Sequence, residues 1–377
     1  MKKLLTVLLL LCYAFTVWAQ DYQIFIDNGV AKSVSIKGDV FTDRDVSKVI
    51  NRAISNLQKE TGGSIELGSG YFFLNDEITI TGWTNNQPPN AQITITGQGY
   101  STQLVQNTKG KNGIVVRNAA SIVLKNMYIY AGRNSKAGIL FDADENSKAS
   151  VWGGTIDNIF VQSNSLTDAA VHLKNFFDLN VPHLSVSSSD NHGIILENIS
   201  KTVSYGNSNF GFIRSVASKA PYAGLFLKSS NANSPINLMT FQNYQCVGSY
   251  RGIYSMVSAR NVFQLVDIED AFQPIYLDGS QLGGDTRYTK IMGGYILARD
   301  NGTAITNTLY TGGNEINCFV EDDQNRILVS DASQYRPINS YNLQTFGRGA
   351  ERVDIKSPNI PIRFERVDGS FFDNRNK

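Results

Sequence analysis

The chain has 377 residues, 42% hydrophobic and 18% charged, with 34 basic against 33 acidic side chains and a net charge of +1. A balance so even leaves no global field for nucleic acid or an anionic membrane surface. Thirty-two glycines and few charges suit an all-β chain with many turns.

Lys2 and Lys3 precede an apolar run from Leu4 to Val17, and Val17-Trp18-Ala19 sets compact residues ahead of Gln20. This is the pattern of a secretory signal peptide cleaved after Ala19, too short for a membrane span. A secreted or periplasmic location is therefore expected. Cys12 is a candidate for a lipid anchor, but Leu9-Leu10-Leu11 lacks the small residues such a site needs. Without Lys2 and Lys3 the balance is 32 basic to 33 acidic, and Cys246 and Cys318 remain, either paired or as buried thiols. No later segment reaches the ~18 apolar residues of a transmembrane helix. No Cys/His spacing resembles a zinc site.

A helix is predicted over 43–61. Thr42 can cap it, with Asp45 three residues on. Val46, Val49, Ile50, Ala53, Ile54 and Leu57 then form one apolar face, and Gly62-Gly63 stops it. Beyond it a unit repeats: a small residue, an apolar strand of about four residues, a turn and a second strand. Gly113, Gly138, Ala170, Gly193, Gly224, Gly252, Pro274 and Gly302 fill the small slot, at spacings of 25, 32, 23, 31, 28, 22 and 28. Five residues after a slot stand Asn118, Asn175, Asn198, Gly279 and Asn307, types that tolerate left-handed backbone. The period and the column together predict a parallel β-helix over 20–340, with the helix as a lid on its apolar end. Residues 341–377 read as a C-terminal cap or tail, polar except for Ile360-Pro361-Ile362-Arg363-Phe364.

Asp43-Arg44-Asp45 leading into a helix, then Gly62-Gly63-Ser64-Ile65-Glu66-Leu67-Gly68-Ser69-Gly70-Tyr71-Phe72-Phe73, resembles the opening segment of the pectin-lyase-like superfamily. Ile95-Thr96-Gly97-Gln98-Gly99-Tyr100-Ser101-Thr102 is similar to the segment that follows in those proteins. The likeness covers residues 40–107. It implies a right-handed parallel β-helix and action on carbohydrate. Polygalacturonases carry Asn-Thr-Asp, Asp-Asp, Gly-His-Gly and Arg-Ile-Lys, and pectate lyases carry Trp-Ile-Asp-His and Arg-x-Pro-x-x-Arg; none of these runs occurs here. The resemblance thus supplies a fold without catalytic residues.

In polygalacturonase-like β-helices the catalytic carboxylates lie just before the slot. That window holds Asp168, Asp190, His192, Lys219, Tyr222, Tyr250 and Arg251 in successive coils, and Glu269 and Asp270 in the next. Hydrolysis needs a protonated and an ionised carboxyl. Asp168 and Asp190, on adjacent coils, are the candidates, with His192 assisting, and each like charge would raise its neighbour's pKa. Elimination instead needs a cation for a substrate carboxylate and a proton-transfer group. His192, Lys219, Tyr222, Tyr250 and Arg251 supply both, and Asp270 completes the binding set. The alternative for each is a solvated turn residue or a side chain covering apolar stems.

His172, inside Val171–Leu173, and His183, after Pro182, read as structural. Asp142-Ala143-Asp144-Glu145-Asn146 has the alternating oxygens of a calcium loop but lacks its glycine and distal Glu. No other cofactor is indicated. Tyr222, Tyr250 and Tyr254 fall near one face, suited to sugar rings. Trp152 reads as lying in an inserted loop, and Phe176, Phe177, Phe226 and Phe241 as interior. The leading expectation is an exported glycoside hydrolase, marginally ahead of a polysaccharide lyase. The alternatives are a non-catalytic glycan-binding or adhesin-like β-helix and a trimeric spike-like protein, and the chain is expected as a monomer or a homotrimer.

Overall fold

A computed structural model of the chain describes residues 21–82, 92–143, 145, 150–279, 285–299, 301–321, 327–333, 338–345, 353–355, 360–366 and 371–373. The expected signal peptide, with Cys12, lies outside them. Short apolar strands stack in register, one coil on the next, because each buries alternate side chains between its neighbours. Ile114, Ile139, Val171, Ile194, Leu225, Ile253, Ile275 and Ile305 make one such interior row, nearly all fully buried. The product is a right-handed parallel β-helix of about nine turns with a helix near its N-terminus. Its walls are a nineteen-stranded sheet, an eleven-stranded sheet and a four-stranded sheet.

The slot residues are small for a reason that the left-handed column does not supply. A Cβ on Gly193 would lie 2.6 Å from the carbonyl oxygen of Gly224, and one on Gly252 would lie 2.6 Å from that of Pro274. Successive slots therefore touch backbone to backbone. Gly252→Ala, which also meets Ile268, is expected to cost about 1–3 kcal/mol. Urea denaturation checks this; a change below about 0.5 kcal/mol would show that the coils can part freely.

The left-handed column is corrected in three respects, the first being that Gly279 does not adopt positive φ. Asn118 and Asn175 do adopt positive φ, at 47° and 45°. Asn198 does not; its buried carboxamide instead donates to the carbonyls of Val203 (2.8 Å) and Ser234 (2.7 Å), satisfying the turn. Asn307 is outside the column altogether. It pairs with Leu277, so its coil is offset by two residues and Ala304, not Gly302, occupies the slot.

Helix α1 spans Val46–Lys59, and its predicted apolar face joins the main core. It starts later than the predicted 43–61 because Thr42 and Asp43 pair in the antiparallel strand Val40–Asp43. Asp45 is the cap, its carboxylate accepting from Ser47 N at 3.0 Å. Strands Tyr22–Asp27 and Val30–Ser35 form a hairpin beside it that the sequence reading did not find. At the other end the ladder runs past residue 340 through Ser340–Thr345 and Ile362–Arg366, and antiparallel Phe371–Asp373 closes it. Cys246 and Cys318 are both buried and free, which decides against a disulfide. Among the described residues no helix is long and apolar enough to cross a membrane.

Candidate active site

Each strand of the eleven-stranded sheet turns its first and third apolar residues inward and its second outward. The outward row runs Val115, Leu140, His172, Ile195, Phe226, Tyr254 and Tyr276. Ile195, Phe226, Tyr254, Met256 and Tyr276 form an apolar cluster on this outer face, separate from the core. Phe226 and Tyr254 stack with centroids 4.2 Å apart. Phe226 is thus an outward residue, correcting its predicted interior place. Phe176 and Phe241 are interior as expected. Phe177 is half-buried against Trp152, which stands on the strand Val151–Ser163 rather than in a loop.

His192, Tyr222, Tyr250 and Arg251 gather along one margin of this aromatic shelf. The His192 ring lies 5.1 Å from Tyr222 and 4.9 Å from Phe226. Its Nδ1 accepts from Ala223 N–H at 3.0 Å, which leaves the proton of the neutral ring on Nε2. Burial, with the charges of Lys228 and Arg251 adding to it, lowers the His192 pKa to about 3. His192 is therefore a neutral donor at ordinary pH. The Arg251 guanidinium lies 4.5 Å from the centroids of both Tyr254 and Tyr276 and 5.6 Å from that of Tyr250. Its Nε donates to Gln273 Oε1 at 2.8 Å, which fixes the plane of the group.

The two predicted carboxylates have separate partners. Asp168 accepts from Ala169 N–H and meets His172 Nδ1, both at 2.8 Å. Burial would raise its pKa, but His172 outweighs that and holds it below the ordinary value. Asp190 accepts from Ser189 Oγ at 2.7 Å and from Lys219 Nζ at 3.3 Å, and Ser189 and Lys219 lower its pKa too. The expected raised member of the pair is not there: both carboxyls are held ionised. Asp270 is exposed on the nineteen-stranded sheet, with both carboxylate oxygens on Arg299 at 2.9 and 3.0 Å. Lys219 is likewise exposed, and neither joins the aromatic cluster.

Three residues that the sequence reading left aside, Glu197, Lys228 and Asp278, border the shelf. Glu197, one row along from Ile195, accepts from Lys228 Nζ at 3.0 Å and meets His172 Nε2 at 2.8 Å. Tyr254 donates to the buried Asp278 at 3.3 Å. His183 rests against Phe212, in keeping with a structural place. In the weak calcium pattern, Asp142 is held by Arg117 at 2.8 Å and Glu145 by Lys201, while Asp144 and Asn146 lie outside the described residues. Asp142 and Glu145 are thus already committed to cations. A hollow of about 360 Å³ lined by Arg260, Asp285 and Tyr288 lies off the shelf. Volume favours that hollow, but an extended polymer needs an open shelf, and the concentration of donors and rings is on the shelf.

No family model matches the chain, and a search of curated proteins gives no match. Among solved structures, the A-module of the Azotobacter vinelandii mannuronan C-5 epimerase AlgE6 aligns with a TM-score of 0.55 at 11% identity, covering 84% of this chain and 94% of that one. This chain has the pectin-lyase-like fold. The A-module of AlgE4 from the same organism aligns at a TM-score of 0.45 and 11% identity, over 84% and 93%. The family 28 exopolygalacturonase of Yersinia enterocolitica aligns at 0.40 and 9%, over 90% and 83%. The pectin-lyase-like fold agrees with the resemblance of residues 40–107 and leaves the chemistry to the shelf.

Proposed function

We propose that the chain is an exported enzyme that cleaves an acidic polysaccharide by elimination on the outer face of the eleven-stranded sheet. The observation that carries this is Arg251, whose guanidinium sits 4.5 Å from the ring centroids of both Tyr254 and Tyr276 and is pinned by Gln273 beside the neutral His192. A fixed guanidinium suits a uronate carboxylate, whose charge must be neutralised before the adjacent C5 proton becomes acidic enough to leave. Tyr222, in ring contact with His192, relays the proton in one concerted step: its oxygen takes the C5 proton as its own hydroxyl proton passes to the leaving oxygen. The C4–O bond breaks as the C4=C5 double bond forms, and Tyr222 ends as the neutral phenol it began. His192 donates Nε2–H to the substrate without changing charge. The aromatic shelf offers flat apolar faces to sugar rings.

Hydrolysis is disfavoured because both Asp168 and Asp190 are held ionised, whereas a general acid must carry a proton. A panel of uronate and neutral polysaccharides, followed by reducing ends and by the ultraviolet absorbance of unsaturated products, tests the reading. Reducing ends and absorbance should rise together on a uronate polymer. Reducing ends without absorbance would restore the paired-aspartate hydrolase. Binding without product would make the shelf a docking surface of a non-catalytic glycan binder.

A further inference from the structure

His172 occupies an outward position where the neighbouring coils carry Leu140 and Ile195, yet it is nearly fully buried. Both its ring nitrogens face carboxylates: Nδ1 lies 2.8 Å from Asp168 Oδ1 and Nε2 lies 2.8 Å from Glu197 Oε2. A neutral imidazole has one donor and one acceptor nitrogen, so it would turn a lone pair toward one of those oxygens. Only the imidazolium donates to both. Glu197 also accepts from Lys228 Nζ at 3.0 Å and from Ser230 Oγ at 2.8 Å. Asp168 sits in the turn before the strand Val171–Lys174, Glu197 on Ile194–Asn198 and Lys228 on Ala223–Ser229. The chain of contacts therefore crosses three consecutive strands beneath Phe226, whose ring centroid is 5.8 Å from Lys228 Nζ.

We infer that His172 is a positioning residue carried as an imidazolium at neutral pH, a clamp that ties three coils together and holds the shelf in place. This goes beyond the polysaccharide reading and does not depend on it. The charged groups facing the clamp are Lys174 on its own strand, Asp142 on Ile139–Asp142, Glu197, Lys228, Asp168 in the turn, and the neutral His192 nearby. Burial alone would discharge His172, but the two carboxylates outweigh it and raise its pKa above the ordinary value. The clamp's stabilisation is accordingly complete below about pH 6.5 and is lost as pH rises through the raised value. On the acid side Glu197 is lowered from 4.5 to about 2 because His172 and Lys228 outweigh its burial, so its contribution is complete above the ordinary value and is lost as pH falls from there through about 2.

The sequence holds three histidines, so a long-range ¹⁵N–¹H spectrum of the full chain separates them. At about pH 8, where an ordinary histidine is neutral, one ring should show two protonated nitrogens. The His183→Gln/His192→Gln chain, which keeps only His172, should retain that signal. Glu197→Gln and Asp168→Asn should each bring its titration down toward about 6.5. Three neutral histidines at pH 8, or a titration that neither substitution moves, would overturn the inference. Because no substrate is used, such a failure is separate from any failure of the elimination reading.

Discussion

Replacing Arg251 with alanine is expected to lower turnover of a uronate polysaccharide by roughly 10²- to 10³-fold, the effect of removing one fixed donor from a site where negative charge develops. Arg251 is half-buried and its guanidinium covers Tyr254 and Tyr276, so some stability is lost as well. Arg251→Lys separates the two effects. A lysine keeps the charge but lacks the planar fork that reaches both rings while donating to Gln273. It should recover folding fully and turnover only in part. Single-turnover rates alongside denaturation curves provide the check. Wild-type turnover in Arg251→Ala would remove Arg251 from the site.

Phe241→Ala should give the largest loss of stability, about 3–5 kcal/mol. Inside the solenoid the Phe241 ring stacks on Phe210 at 4.6 Å and on Phe263 at 4.5 Å, and Phe210 in turn meets Phe176 at 6.4 Å in edge contact. Removing the middle ring leaves a cavity between two coils that cannot close without shifting the backbone ladder. Each coil of a solenoid is stabilised only by its neighbours, so the break is local and denaturation should lose cooperativity. A loss below about 1 kcal/mol, with a single sharp transition, would mean that the aromatic stack contributes little.

The fold was legible because two signals coincide. Small slots return at coil spacing, and the apolar face of α1 is periodic over its whole length. Helix α1 was predicted to begin too early because Thr42 is a good cap by type, and nothing local reveals that it pairs with Lys32. The margin of the shelf was legible too, since His192, Tyr222, Tyr250 and Arg251 stand just before their slots. The shelf itself was hidden. Ile194-Ile195-Leu196 and Leu225-Phe226-Leu227 are unbroken apolar runs, which give no alternation to mark the middle residue as outward.

Two weaker signals were present in that face. His172 interrupts a column otherwise held by apolar and aromatic residues. Two residues further on, Arg117, Asp142, Lys174, Glu197 and Lys228 alternate in sign from coil to coil. Adjacent coils thereby pair opposite charges, as Arg117 with Asp142 and Glu197 with Lys228 do. The protonation state of His172 was beyond reach, because Asp168, four residues before it, acts together with Glu197, 25 residues further along the chain, to hold it charged.

Hydrogen exchange of the intact chain, with and without a saturating uronate oligosaccharide, tests the placement of the site most directly. The shelf predicts new protection in the strands Ile194–Asn198, Ala223–Ser229 and Arg251–Met256 and in the turns that carry His192 and Tyr222. Protection confined to the hollow around Arg260 and Tyr288, with the shelf unchanged, would contradict the account and move the site to the four-stranded sheet.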